Sequence, residues 1–321
     1  VTIVCAAVTL GVLAAVVPAA SGQGASAACG PETSSTLATV DAMVATNIYR
    51  GELGGNETLT DASHVENNPA LLAAVAADNV PATLAAVKRI VYHPFWHIVR
   101  LRVLGPAGQL LADFGGPHVI APVPGVLRSA TGAVIGSFVM SVQDDVGFTK
   151  LETRAIDDPI GIYSGGVLVA QLGGQFPKRE PSTPTLMLGG GYYDAQTLTF
   201  DAFPSGTLNA VMAVPTPSPA LTRESCTAVL VGEIGRIAER LALRFHPLAA
   251  SYGNYVEVVH SDTEAVVVVR IGLRTIAGSA GLGPLTLPSS GTILYDGHEW
   301  SVFSFAPTPP AKIYLLIADD S

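Results

Sequence analysis

The feature that most constrains this chain is a change of period that occurs twice. At Tyr92–Phe95 the residues YHPF follow an apolar stripe of helical spacing and precede an alternating run. At Phe245–Leu248 a near copy, FHPL, follows a second helical stripe. Proline pushes the residue before it out of the α region, so a helix must stop at each place. The order helix, His-Pro stop, hairpin, loop and long strands is therefore read twice, which predicts a repeated supersecondary unit.

The helices can be placed from their stripes and caps. Leu37, Val40, Val44 and Ile48 give Thr33–Glu52 one apolar face, and Gly54-Gly55 ends it. Asn68 followed by Pro69 is a helix start, and Pro81 opens another in which Leu84, Val87 and Val91 share a face. Leu230, Ile234, Ile237 and Leu241 form the second long stripe.

Strands follow each stop. HIVRLRVL at His97–Leu104 alternates, with Val99, Leu101 and Val103 on one face and Arg100 and Arg102 on a solvated one. A GPAG turn joins it to QLLADF. The prolines of VIAPVPGVLR suit an edge strand or a bulge. TGAVIGSFVMSVQDD reads as a turn and a strong strand, and VGFTKLETR as a short helix. In the second half NYVEVVHSD and EAVVVVRIGL read as two strands turning at Asp262-Thr263. GTILYDGHEWSVFSF is a hairpin about Asp296-Gly297, and AKIYLLIA a closing strand.

Val1–Ala20 holds no charged residue, and Ala25-Ser26-Ala27 is a small-x-small cleavage site. The segment reads as a signal peptide, with an uncleaved anchor or a lipoprotein cut before Cys29 as alternatives. Residues 1–27 are thus a signal peptide or membrane anchor, and the expected location is extracytoplasmic. Of three cysteines, Cys5 leaves with the signal. Cys29 and Cys226 remain as an even pair in an oxidising compartment, where a disulfide between them is expected. It would close a long loop, worth roughly 5 kcal/mol in the chain-entropy model. The other reading is two unrelated buried thiols.

The net charge is -9, with 17 Lys and Arg against 26 Asp and Glu. That balance lacks the basic footprint of a nucleic-acid binder. It equally lacks the basic stripe of a protein held on anionic lipid.

HPFWHIVRLRVLGPAGQLLADFGG, GAVIGSFVMSVQDD and the preceding IYRGEL resemble extracytoplasmic Cache (PDC-type) sensor domains. The resemblance covers about Thr36–Arg154 most clearly and Thr216–Ile317 more weakly. It implies an α+β fold of two PAS-like units, with antiparallel sheets packed on long N-terminal helices. The expected division is 28–157 as a first helical plus Cache-like unit, 158–215 as a β-rich connecting segment, and 216–321 as a second PAS-like unit. It also implies an exported, non-enzymatic module that binds a small organic ligand, and the N-terminal segment offers a possible membrane attachment. The arginine–aromatic pattern of amino-acid-binding members is missing. The rival expectations are a cell-envelope structural or interaction module, and a hydrolase with an unrecognised site.

Five residues are the candidate ligand contacts. Tyr92, His93 and Trp96 flank the first helix-to-strand corner, where aromatics can wall a pocket. Arg128 ends a predicted loop and offers a planar fork to a carboxylate. Asp144 and Asp145 follow a strand and point to opposite faces, so one of them can reach a pocket. Each has a plainer reading: core packing for the aromatics, a surface arginine, a solvated strand end, and for His93 a residue favoured at a helix C-terminus. Trp300, Tyr252 and Tyr255 are the counterparts in the second half. His93, His97 and His118 could be imagined around zinc, but Pro94 separates the first two from a common helical face. No metal and no cofactor is expected. GxSxG is missing, HEW at His298–Trp300 is not HExxH, and Gly189-Gly190-Gly191 lacks the Lys-Ser/Thr of a phosphate loop. Asn56-Glu57-Thr58 matches a glycosylation sequon.

Overall fold

The computed structural model describes residues 31–216, 223–245, 252–280, 282, 285–307 and 309–318. The N-terminal apolar segment, Cys29 and the second His-Pro corner lie outside them, as does most of the PTPSP stretch. Among the described residues no helix is long and apolar enough to cross a membrane.

The chain opens with α1 (Pro31–Gly54), α2 (Asn56–Glu66), α3 (Pro69–Ala76) and α4 (Val80–Val91). The boundaries follow local chemistry. Gly55 donates its N–H to the Gly51 carbonyl and then serves as the extended N-cap of α2. Asn68 caps α3 by accepting from the Leu71 N–H, and Asn79 caps α4 from the Ala82 N–H. α4 ends at Val91 with Tyr92 as its C-cap, since Pro94 has no N–H to continue the ladder.

The first sheet contains β1 (Arg100–Leu104), β2 (Leu110–Gly115), β4 (Val123–Arg128) and β5 (Val134–Ser141), in the order β2-β1-β5-β4. β3 (Val119–Ile120) has left this sheet to pair with β6 (Gln143–Asp144). β4, which carries Pro124, is an edge strand, as the missing proline N–H requires. Leu101, Val103, Phe138 and Met140 face Val87 and Ile90 of α4 in a core of their own. Arg100 and Arg102 lie on the opposite face and are half-buried rather than fully solvated. Both reach Asp113, Arg100 through two hydrogen bonds of 2.8 and 3.1 Å, and the Arg100 guanidinium sits 5.0 Å from the Phe203 ring.

α5 (Asp145–Ala155) leads to a second sheet of β7 (Ile160–Ser164), β8 (Val167–Leu172), β9 (Thr185–Leu188), β10 (Gly191–Asp201) and β11 (Thr207–Pro215). Its order is β8-β7-β11-β10-β9. Residues 158–215, expected as a β-rich connecting segment, form one five-stranded antiparallel sheet. After α6 (Arg223–Phe245) and α7 (Tyr252–Thr263) comes a third sheet. It holds β12 (Val266–Ile271), β13 (Arg274–Gly278), β14 (Ser290–Tyr295), β15 (His298–Phe305) and β16 (Ala311–Ala318), in the order β13-β12-β16-β15-β14. Counted from each sheet's first strand, the second and third sheets share one order, second-first-fifth-fourth-third. The first sheet has the same order without its third strand. The molecule is a mixed α+β protein with antiparallel sheets, and the sheet repeats three times rather than twice.

α7 corrects an expectation of strand for NYVEVVHSD. Its β-branched and aromatic residues favour a pleated surface in isolation. Tyr252, Tyr255, Val256 and Val259 recur at three and four, and as a helix all four are buried. The Tyr255 hydroxyl donates to the Ala238 carbonyl of α6 at 2.9 Å, and Asn47 of α1 donates to Asp262 at 2.6 Å. α1, α5, α6 and α7 form a helical layer between the second and third sheets. Val44 and Ile237 meet Ile162 and Met212 on one side and Val267 and Leu315 on the other in one contiguous core. Each of these two sheets also carries a smaller apolar cluster on its other face, roofed by the segment between its second and third strands.

Candidate functional site

A cleft of about 810 Å³ opens where the C-terminal end of α4 meets the ends of α1 and α2, the close of β2 and the start of α5. Tyr92, Trp96, His97, Phe114, Glu57 and Asp144 line it with others. The corner loop after α4 sets the aromatics. Trp96 turns inward and its indole is stacked on both faces. His93 lies 3.9 Å from it at 24° between planes, and His64 of α2 lies 4.6 Å away at 14°. His64 Nδ1 is 3.5 Å from the Asp61 carboxylate. The other Asp61 oxygen accepts the His97 backbone N–H at 3.0 Å. Asp61 is buried and fixes the corner from α2 through the His97 N–H, with its other oxygen near the His64 ring. The His97 ring pairs with Glu57 at the rim.

Tyr92 is 74% exposed and meets the Phe114 ring edge-on at 5.3 Å. The Lys88 ammonium sits 5.3 Å from the same Phe114 ring. Asp144 caps α5, its Oδ1 accepting the Gly147 N–H at 2.6 Å. Asp145, whose carboxyl is pushed above its ordinary range by burial, accepts from the Val146 N–H at 2.9 Å.

Of the five candidates, Tyr92, Trp96 and Asp144 come together in this cleft. His93 backs Trp96 and does not line the opening. Arg128 is elsewhere: exposed at the β4–β5 turn, it donates from Nη1 to the Gly132 carbonyl at 3.1 Å. The fork that was to meet a carboxylate closes its own hairpin. The Cys29–Cys226 pairing lies outside what is described. Tyr252 and Tyr255 are buried in the helical layer, while Trp300 hydrogen-bonds the Tyr295 carbonyl on the third sheet. No group of three His, Cys, Asp or Glu among the described residues is placed to hold a metal ion.

The α2 contribution was not anticipated. NETLTDASHVE buries Thr58, Asp61 and Val65, so two of its three core contacts are polar and the apolar stripe is weak. The only sequence signal is their spacing of three and four.

A second polar cluster lies inside the helical layer. Asp41 of α1 is 1% exposed and hydrogen-bonded to Asp158. Burial, then the nearby Asp158 charge, pushes the Asp41 carboxyl up to about 9. Burial also raises Asp158, to about 6, against the opposing effects of the Asp41 hydrogen bond and Arg236. Arg240 donates to Asp157 at 2.5 Å and to the Thr153 carbonyl at 3.2 Å.

No protein-family model matches the chain, and no curated protein matches it.

Proposed function

We propose that this chain is an exported, non-enzymatic module of PAS-like units of the Cache kind, binding a small organic molecule in the cleft beside α4. The observation that carries the reading is the convergence of Tyr92, Trp96 and Asp144, singled out from sequence, on one opening of about 810 Å³. A recess of that size, in which Tyr92, Trp96 and Phe114 stand beside Glu57, His97, Gln143 and Asp144, suits a small ligand that carries polar groups. The repeated strand order supports the PAS-like part of the reading. Arg128 drops out of the proposed contacts because it serves its own turn.

Thermal-shift screening against organic acids, amines and sugars tests this, because a ligand stabilises the state it binds. A reproducible rise for one compound should be lost in Tyr92→Ala. Arg128→Ala should leave it unchanged. If no compound shifts the protein, or if every shift survives Tyr92→Ala, the cleft is not a ligand site.

A cell-envelope interaction module without a ligand is the second reading. It is favoured by Trp96, whose two faces are already covered by imidazoles.

A further inference from the structure

A different place, on the third sheet, carries an inference that does not depend on the cleft. Arg270 of β12 and Lys312 of β16 are direct cross-strand partners. Their side chains therefore leave the sheet on the same face, next to each other. Tyr314, two residues after Lys312, shares that face. Its ring lies 5.9 Å from the Arg270 guanidinium and 5.2 Å from the Lys312 ammonium. Like charges directly opposite on a sheet destabilise it. Here one of them is also out of water, since Arg270 is 5% exposed.

The neighbours are neutral. Arg270 donates from Nε to Thr275 Oγ1 at 3.3 Å and from Nη1 to the Leu285 carbonyl at 2.6 Å. Its Nη2 makes no hydrogen bond among the described residues. Lys312 Nζ donates to Ser289 Oγ at 2.6 Å. Neither cation forms an ion pair with a described carboxylate, although the protein as a whole is acidic. A buried charge is ordinarily paired or neutralised, and a guanidinium does not lose its proton.

We infer that the outer face of the third sheet is an oxyanion site, taking the carboxylate or phosphate of a small molecule between Arg270 and Lys312. The free Nη2 edge of Arg270 supplies the fork, and the remaining Lys312 protons supply a point charge. Tyr314 forms the floor between them. The bound anion removes the like-charge cost and gives the buried guanidinium its counter-charge.

The test compares wild type, Lys312→Gln and Arg128→Ala by thermal unfolding and calorimetric titration. Acetate, succinate and inorganic phosphate are each set against sodium chloride at equal ionic strength. The expected result is a rise of a few degrees in wild type for at least one oxyanion beyond the chloride control. The rise should be lost in Lys312→Gln and kept in Arg128→Ala, which removes an exposed cation from the first sheet instead. A response to phosphate alone, or to the carboxylates alone, names the source of the oxyanion. Lys312→Gln should also match or exceed wild type in oxyanion-free buffer, because it relieves the like charges. The inference is overturned if no oxyanion exceeds chloride. It is equally overturned if Lys312→Gln keeps the full response.

Discussion

The carboxyl groups of Asp41 and Asp158 are hydrogen-bonded to each other where α1 meets the start of the second sheet. One of them must hold a proton for that contact to be attractive. Asp41 is the holder, being the more deeply buried and the more strongly raised.

This pair predicts how stability depends on pH. An unfolded aspartate titrates near 3.8, whereas the folded values are raised to about 6 and about 9. Between those limits the folded state binds more protons than the unfolded state. Stability is therefore greatest near the lower limit and falls as pH rises through the folded values. Urea midpoints should decline between pH 5 and pH 9. Asp41→Asn, which keeps the shape of the neutral acid, should flatten the decline and gain about 1–2 kcal/mol at pH 8. An unchanged pH profile in that variant would show that the proton is held elsewhere.

Asp144 has a structural duty separable from any ligand. Its Oδ1 satisfies the Gly147 N–H at the first turn of α5. Asp144→Ala should cost about 1 kcal/mol, and Asp144→Asn, which can still cap, only a few tenths. Equal losses in chemical denaturation would mean that the charge, rather than the cap, stabilises the helix.

Gly125 in edge strand β4 lies against the ring of Phe138 on β5. A Cβ there would overlap the ring. Gly125→Ala should cost about 1–3 kcal/mol by overpacking. The double variant with Phe138→Leu should recover part of that loss, and the measurement is the coupling energy between the two sites.

The Tyr255 hydroxyl ties α7 to α6 through the Ala238 carbonyl. The tyrosine is fully buried and its proton is held well above the ordinary range by burial. Tyr255→Phe removes one of the donors to this carbonyl, which keeps its place in the α6 ladder, and should cost about 0.5–1.5 kcal/mol. Helicity measured by circular dichroism should stay unchanged, because the burial that makes α7 a helix is kept.

Trp96 is held by two rings from different elements, His93 after α4 and His64 of α2. Trp96→Ala should cost about 2–4 kcal/mol, as for other large aromatic truncations in packed sites. His64→Leu should cost less, since one face of the indole stays covered. A loss in His64→Leu as large as in Trp96→Ala would place the stabilising contact in Asp61 rather than in the stack.

Local chemistry was legible along the chain. Asparagine caps before Pro69 and Pro81, the stop at Pro94, the alternation of β1 and the glycine turns all depend on residues within a few positions of one another. For the same reason Tyr92 and Trp96 could be picked out at the corner they occupy. What sequence reading missed was non-local. Residues 158–215 form one five-stranded sheet only because β7 pairs with β11, far along the chain. Asp61 and His64 come to stand behind Trp96 and His97 only because α2 folds back onto the loop after α4. NYVEVVHSD has the composition of a strand and becomes α7 because α1, α6 and the third sheet receive its buried face. Arg270 and Lys312 read as scattered charges until β12 and β16 set them side by side. Periodicity and capping are properties of short segments and are written in the chain. Pairing partners, buried charge and the walls of a cleft arise only when distant segments exclude water together, so packing alone decides them.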